Sequence, residues 1–278
     1  MPPARGEIVI PETLDSPARE ALVDALYRVH SEIFDGVDRD AFVHYVIDSP
    51  AERTRIMVQR DDADRIVGYF AFHLFRRTIR GREVAVLRGE SGFLREHRGG
   101  ASTLRFGFGE GIDAFARNLG VPLYYLGCLV HPTSYHSFCK YMRPVWPSRE
   151  HPADAELRAL MSELGDSFGL DKVGEDPLVR QVGWRTRDTE AERAFWQRCD
   201  KPDVRFYIEA NPGYVEGHGL LTLVPVDAAS LVGGVGRIAR EKTGFALANL
   251  RAGVHHLPIA AQWLAPRELR RRLRGVAL

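Results

Sequence analysis

The stretch Phe93-Leu94-Arg95-Glu96-His97-Arg98-Gly99-Gly100-Ala101-Ser102-Thr103-Leu104 joins an apolar run, Val84 to Phe93, to a segment where Leu104, Phe108, Ile112 and Phe115 recur at helical spacing. A strand that hands over to an amphipathic helix through a glycine turn, here Gly99, Gly100 and Ala101, leaves several backbone N–H groups facing one concavity. The positive end of the helix dipole lies behind them. Such a place suits a pyrophosphate. Arg95 and Arg98 can add charge-assisted hydrogen bonds, and the hydroxyls of Ser102 and Thr103 can add neutral ones. The same residues also suit a plain strand-to-helix turn with a solvated basic edge.

Upstream of this turn, Ser16-Pro17 starts a helix on which Leu22, Leu26, Val29 and Ile33 share a face, with Ser16 as the expected cap. A second helix is expected from Asp40 and stops at Ser49-Pro50. Thr54 to Gln59 and Ile66 to Phe75, separated by Asp61-Asp62-Ala63-Asp64, read as a hairpin. Downstream, Ala101 to Asn118 reads as helix, Val121 to Val130 as an apolar strand, and Thr133 to Met142 as a short helix closed by Pro144. Past Pro147, Ala153 to Phe168 and Thr189 to Arg198 read as surface helices, Val204 to Glu209 and Leu220 to Val226 as strands, and Asp227 onward as helix and loop. No internal repeat or low-complexity segment is visible.

A second set of residues, His131-Pro132-Thr133-Ser134-Tyr135-His136-Ser137-Phe138-Cys139-Lys140-Tyr141, follows the apolar strand. The element order, the turn and this segment together resemble the GNAT superfamily of acyltransferases. Against its Arg/Gln-x-x-Gly-x-Gly/Ala signature, Arg98 takes the arginine's place and Ala101 and Thr103 those of the two small residues. Against Asn-x-x-Ala-x-x-Leu-Tyr-x-Lys, His131 replaces the asparagine, Ser134 the alanine and Phe138 the tyrosine, while Lys140 matches. The resemblance covers Leu22 to Pro147 and extends to the strands ending at Val226. It implies an α/β (α+β) fold with a mixed central sheet flanked by helices: a GNAT-like domain over residues 1–226 with a helical insertion at about 148–201, then a C-terminal helical extension over 227–278. It implies an acyl-CoA cosubstrate held at Arg95, Arg98, Gly99, Gly100, Ala101, Ser102 and Thr103, with no tightly bound cofactor, and an amine acceptor.

Acyl transfer to an amine needs a group to take the amine's proton and one to protonate the departing thiolate. Glu90, in Arg88-Gly89-Glu90-Ser91-Gly92 on the strand leading to the turn, is the candidate base; the other reading is a structural ion pair with Arg88 or a neighbouring strand. Phe138 cannot donate a proton, and Tyr135, one helical turn away, is its candidate substitute; the other reading is an aromatic packed on the preceding strand. His97 and His136 are further imidazoles, and His136 with Cys139 shares a helical face, the spacing of a thiolate pair or of a packed, inert cysteine.

Composition narrows the field. A net charge of +1 with 45% hydrophobic residues gives no basic surplus for nucleic acid, and a 278-residue chain buries enough surface to need no disulfides. Cys128, Cys139 and Cys199 are odd in number and unframed, which points to a reducing compartment; with no signal peptide, anchor or spanning segment, the cytoplasm is the expected location. Gly234-Val235-Gly236-Arg237-Ile238-Ala239 fits Gly-x-Gly-x-x-Ala but lacks a strand before it and is expected to serve helix packing. His255-His256 and the other histidines show no ligand spacing, so no metal is expected. Arg267, Arg270, Arg271, Arg272 and Arg274 make the terminus basic, a solvated helix or a surface for acyl carrier protein as an alternative donor. A catalytically silent binding module of the same fold is the other class of reading.

Overall fold

In chain order the elements are β1 (Arg5–Val9), α1 (Ser16–Ile33), β2 (Phe34–Asp35), α2 (Arg39–Phe42) prolonged by a π turn over Val43–Ile47, β3 (Arg53–Arg60), β4 (Ile66–Ile79), β5 (Arg82–Phe93), α3 (Ala101–Arg117), β6 (Leu123–Leu129), α4 (Pro132–Tyr141), α5 (Ala155–Ser167), β7 (Val179–Gln181), β8 (Arg185–Thr186), α6 (Glu190–Arg198), α7 (Pro202–Ala210), β9 (His218–Pro225) and α8 (Ala228–Arg251). They come from a computed structural model that describes residues 5–98 and 101–251. The described residues through Leu231 form one compact unit, and those from Val232 to Arg251 belong to a second.

Seven strands form the main sheet in the order β1-β3-β4-β5-β6-β9-β7, and β2 pairs with β8 in a separate ribbon. Every pairing in the main sheet is antiparallel except β5 with β6. The parallel step exists because α3 carries the chain back across one face before β6 begins, the crossover that parallel neighbours require. On that face Phe106 of α3 packs at 5.6 Å from Phe70 and 5.9 Å from Phe72. Phe138 of α4 stacks at 4.7 Å on Tyr125 of β6. The opposite face carries α1, whose Leu22, Val23, Leu26, Val29 and Ile33 are buried with Ile56, Val58 and Ala71 of the sheet. Each such side chain contributes about 1.5–3 kcal/mol when fully buried. That face also carries α5, followed by Phe168 against Phe75 at 5.0 Å.

The helix at residues 16–33 starts as the sequence predicts, with Pro17 in its first turn, but Asp15 rather than Ser16 caps it, accepting from the Ala18 N–H at 2.9 Å. Val204 to Glu209 is helix α7, not a strand. Val204, Phe206, Tyr207 and Ile208 have strand-type composition, but Pro202 sits in the first helical turn and Val204 and Tyr207, three apart, are buried on one face. Tyr207 donates from its hydroxyl to the Leu129 carbonyl at the end of β6, at 2.8 Å. The insertion after Pro147 is not purely helical either. It contributes β7 to the edge of the main sheet, β8 to the ribbon with β2, and a buried Arg180 satisfied by Asp166, Ser162 and the carbonyls of Leu170 and Pro177. The Gly234 to Ala239 segment lies inside α8. His255-His256 and the C-terminal arginines lie outside the described residues.

On the buried side of α1, His30 lies among Phe34, Phe42, Tyr69 and Trp184, with ring centroids 4.6 to 6.4 Å away. Its Nδ1 meets the Tyr69 hydroxyl at 2.9 Å, and its Nε2 has no partner among the described residues. Burial lowers its pKa from 6.5 to about 4, so the folded protein holds it neutral. The unfolded chain takes up this proton first as pH falls, so stability should decrease between pH 6.5 and about 4. Urea unfolding at intervals across that window is expected to show the decrease in the wild type and a shallower one in His30→Leu, even though that variant starts lower because the Tyr69 hydroxyl loses its partner.

Candidate active site

The sheet opens between β5 and β6. Only Ala85 with Leu123, Val86 with Tyr124 and Leu87 with Tyr125 are paired, after which β5 runs on to Phe93 and β6 to Leu129 without meeting. Ala85 donates its N–H across this step to the Pro122 carbonyl, and Leu94 donates the other way to Val67 on β4. By the alternation of a strand, the N–H groups of Gly89 and Ser91 therefore point into the gap. Backbone groups in such a position need partners from outside the sheet.

Beyond the last pair, the next residues of β5 and β6 that face α3 are glycines covered by neighbouring side chains. Gly89 comes two residues after the last pair on β5, and Gly127 two residues after it on β6. A Cβ at Gly89 would lie 2.8 Å from Phe70, and one at Gly127 would lie 2.8 Å from Leu129 and 3.1 Å from Tyr125. A side chain at either position would displace these neighbours, so glycine here lets Phe70, Leu129 and Tyr125 pack close to the backbone.

On the other face, the buried Thr54 and His73 and the partly buried Glu90 run across β3, β4 and β5. Thr54 pairs with His73, and His73 with Arg88, two residues before Glu90. The Thr54 hydroxyl and His73 Nδ1 are 3.0 Å apart, and His73 Nε2 lies 3.0 Å from Glu90 Oε2. That second contact is of ion-pair length without hydrogen-bond alignment. Arg88 stands 3.8 Å from the other Glu90 oxygen. Thr54 and His73 are each 1% exposed, whereas the Glu90 side chain keeps 16% of its surface at the gap. Burial raises the Glu90 pKa, but His73 and Arg88 outweigh it, so the carboxyl is held below its ordinary value of 4.5. Glu90 is thus a carboxylate paired with Arg88 and a residue of the neighbouring strand, the structural alternative of its two readings, placed beside the stretch of β5 that β6 leaves unpaired.

Tyr135 lies elsewhere. It is fully buried, donates to the Pro147 carbonyl at 2.7 Å, and packs on Phe206 and Tyr207; burial pushes its pKa far up. A phenol committed to a backbone carbonyl in the interior has no path to a thiolate. The phenol at the gap is Tyr125, in the last paired position of β6, and sequence reading missed it. Its ring stacks on Phe138, the residue that stands where the family motif has its tyrosine. Burial and Glu90 both push the Tyr125 pKa up, so it keeps its proton. Its hydroxyl has no hydrogen-bond partner among the described residues.

At the turn, Arg95 donates to Glu192 of α6 at 2.7 Å and to the Arg187 carbonyl, while Arg98 Nε donates to the Phe93 carbonyl at 3.2 Å. Ser102 donates to Gln59 at 3.2 Å, and Thr103 is half-buried in the first turn of α3. Ala101 opens α3, and Gly99 and Gly100 lie outside the described residues. His136 and Cys139 do not form a pair: His136 is bonded to Asp203 and lies 3.1 Å from Lys201 Nζ, and burial pushes the Cys139 thiol up to about 11. His131 caps α4 through Nδ1 and turns Nε2 to Asp188 at 3.0 Å. Among the described residues no three His, Cys, Asp or Glu gather as a metal site, and no helix is long and apolar enough to cross a membrane.

No protein-family model matches the chain, and no curated protein matches it in sequence. Several solved structures are similar to it in shape. An acyl-CoA N-acyltransferase from Pseudomonas aeruginosa is 15% identical with a TM-score of 0.29, covering 62% of this chain and 89% of its own. A Corynebacterium glutamicum structure described as a histone acetyltransferase and related acetyltransferase is 15% identical with a TM-score of 0.33, covering 54% and 90%. The toxin AtaT, bound to its antitoxin's C-terminus and acetyl-CoA, is 11% identical with a TM-score of 0.29, covering 63% and 89%. The mixed seven-stranded sheet flanked by helices is the α/β architecture that the sequence resemblance implied.

Proposed function

We propose that the protein transfers an acyl group from an acyl-CoA thioester to an amine. The observation that carries this reading is the gap between β5 and β6, with free N–H groups on its edge and a carboxylate at its mouth. The thioester enters between the strands where their pairing stops, from the α3 side, and its pyrophosphate rests on the turn at Arg98 to Thr103. The Gly89 and Ser91 N–H groups polarise the carbonyl as negative charge develops on its oxygen. The amine approaches from the α1 and α5 side, attacks the carbonyl carbon, and passes one proton to Glu90 as the carbon–sulfur bond breaks. Tyr125 donates a hydrogen bond to the departing sulfur, which leaves as the thiolate and becomes the thiol by taking up, through solvent, the proton that Glu90 received from the amine. A phenol with a raised pKa suits that role, because it stays protonated throughout.

His73 gives Glu90 its pH range. Held below 4.5, Glu90 is ionised wherever amines are substantially neutral, so the acid limb of turnover should follow the amine rather than the enzyme. The sign for stability follows from the same shift. A depressed carboxyl contributes stability that is fully present above its unfolded value of 4.5 and is lost as pH falls through the folded value. The difference in melting temperature between wild type and Glu90→Gln is therefore expected to be constant above that pH and to shrink below it. A constant difference down to full acid unfolding would remove the ion-pair account.

Incubation with acetyl-CoA and longer acyl-CoAs against a panel of amines tests the activity directly. A bound thioester at 100 times its Kd should stabilise the fold by about 2.7 kcal/mol. Glu90→Gln should lower kcat about 10²- to 10³-fold with little change in that thermal shift. Tyr125→Phe should cost about 10- to 100-fold, the worth of a hydrogen bond to a charged group. A thermal shift without turnover on any amine would favour a silent thioester-binding module instead.

A further inference from the structure

Two arginines converge on one aromatic ring beside the gap. Arg88 is the first β5 residue beyond the last β5–β6 pair, and its guanidinium carbon lies 4.7 Å from the centroid of Phe168. Arg77 of β4 reaches the same ring at 4.2 Å, and Phe75 at 5.0 Å. The two charges are thus no more than about 9 Å apart, within roughly one Debye length at 0.1 M salt. Burial and the neighbouring Arg88 together lower the Arg77 pKa.

The pair is under-neutralised. Arg88 has one carboxylate, Glu90 at 3.8 Å, which is shared with His73. Arg77 donates to the Arg76 carbonyl and has no carboxylate within ion-pair distance among the described residues. Its neighbours on the same hairpin differ: Arg76 pairs with Glu52 and Glu83, and Arg80 with Glu163. Snorkelling arginines on a solvated face would be expected to follow that pattern. Two guanidiniums held on a ring, one of them lacking a counterion, form a preorganised fork for an oxyanion.

The location says which reactant would bring it. Phe168 follows α5 and packs on Phe75, on the sheet face opposite α3 and its phosphate turn. A coenzyme A pyrophosphate at that turn lies on the other side of the sheet. We propose that Arg77, Arg88 and Phe168 bind a carboxylate or phosphate carried by the acyl acceptor, so that the substrate is an anionic amine seated with its amine toward Glu90. The word acceptor rests on the acyl-transfer reading; the anion site itself does not.

Calorimetric titration of the full chain with glutarate and with inorganic phosphate, at fixed ionic strength, tests the site. The wild type should bind at least one of them saturably, and Arg77→Gln should weaken that binding at least tenfold while melting like the wild type. Arg77→Lys, which keeps the charge and loses the planar fork, should recover only part of it. Arg98→Gln, at the phosphate turn, should leave glutarate binding unchanged. Tighter glutarate would identify a carboxylated amine, and tighter phosphate that is lost in Arg77→Gln a phosphorylated one. The proposal is overturned if neither anion binds saturably or if Arg77→Gln binds both as the wild type does. Equal kcat/KM for anionic and neutral amines would also overturn it, and would leave acyl transfer standing. Anion binding through Arg77 with no turnover on any amine would instead remove the acyl-transfer reading and keep the site.

Discussion

Parallel pairing between β5 and β6 lasts for only three residues on each strand, and the rest of the site depends on where it stops. A continuous ladder would satisfy the Gly89 and Ser91 N–H groups within the sheet and leave no space between the strands. Because the strands part, β5 has a hydrogen-bonding edge in the middle of a seven-stranded sheet, a position where an edge is normally absent. Two packing layers hold the gap open. On one side α3 and α4 press aromatic rings onto Phe70, Phe72 and Tyr125; on the other, α1 and α5 brace β4 and β5.

The polar residues on the α1 and α5 face follow from the same constraint. Thr54, His73 and Glu90 are placed across three strands by register alone, each on the face that the pleat assigns to it. Inside a sheet such groups are costly unless they satisfy one another, and here the chain of contacts ends at a carboxylate that keeps some exposure. The buried imidazole His30, a short distance along the same layer, is handled differently. It has aromatic neighbours and a single phenol, and it remains neutral. The two histidines, one on α1 and one on β4, thus serve different ends because only His73 faces a carboxylate.

Much of this was legible before the fold. The hairpin over β3 and β4, the strand ending at Phe93, α3 and β6 appear as alternating or helical apolar patterns, and Glu90 stands out as an acid between two glycines. Tyr135 and Val204 to Glu209 mislead for related reasons. Helical spacing puts Tyr135 one turn from Phe138, yet says nothing of which side of α4 is buried, and α7 covers that side. Val204 to Glu209 has the composition of a strand because half-buried helices on an aromatic surface draw on the same residues.

Local periodicity and turn chemistry in the sequence by themselves determined the order of the central elements, the strand-to-helix turn and the position of Glu90, since these depend on neighbours within a few residues. Only the tertiary structure decided which side chains share the gap. Strand register brought His73 to Glu90, the crossover through α3 set Tyr125 beside the opening, and the segment after α5 carried Phe168 to Arg77 and Arg88. Each of those contacts joins residues far apart in the chain, and no local pattern encodes where a distant strand or helix will come to rest.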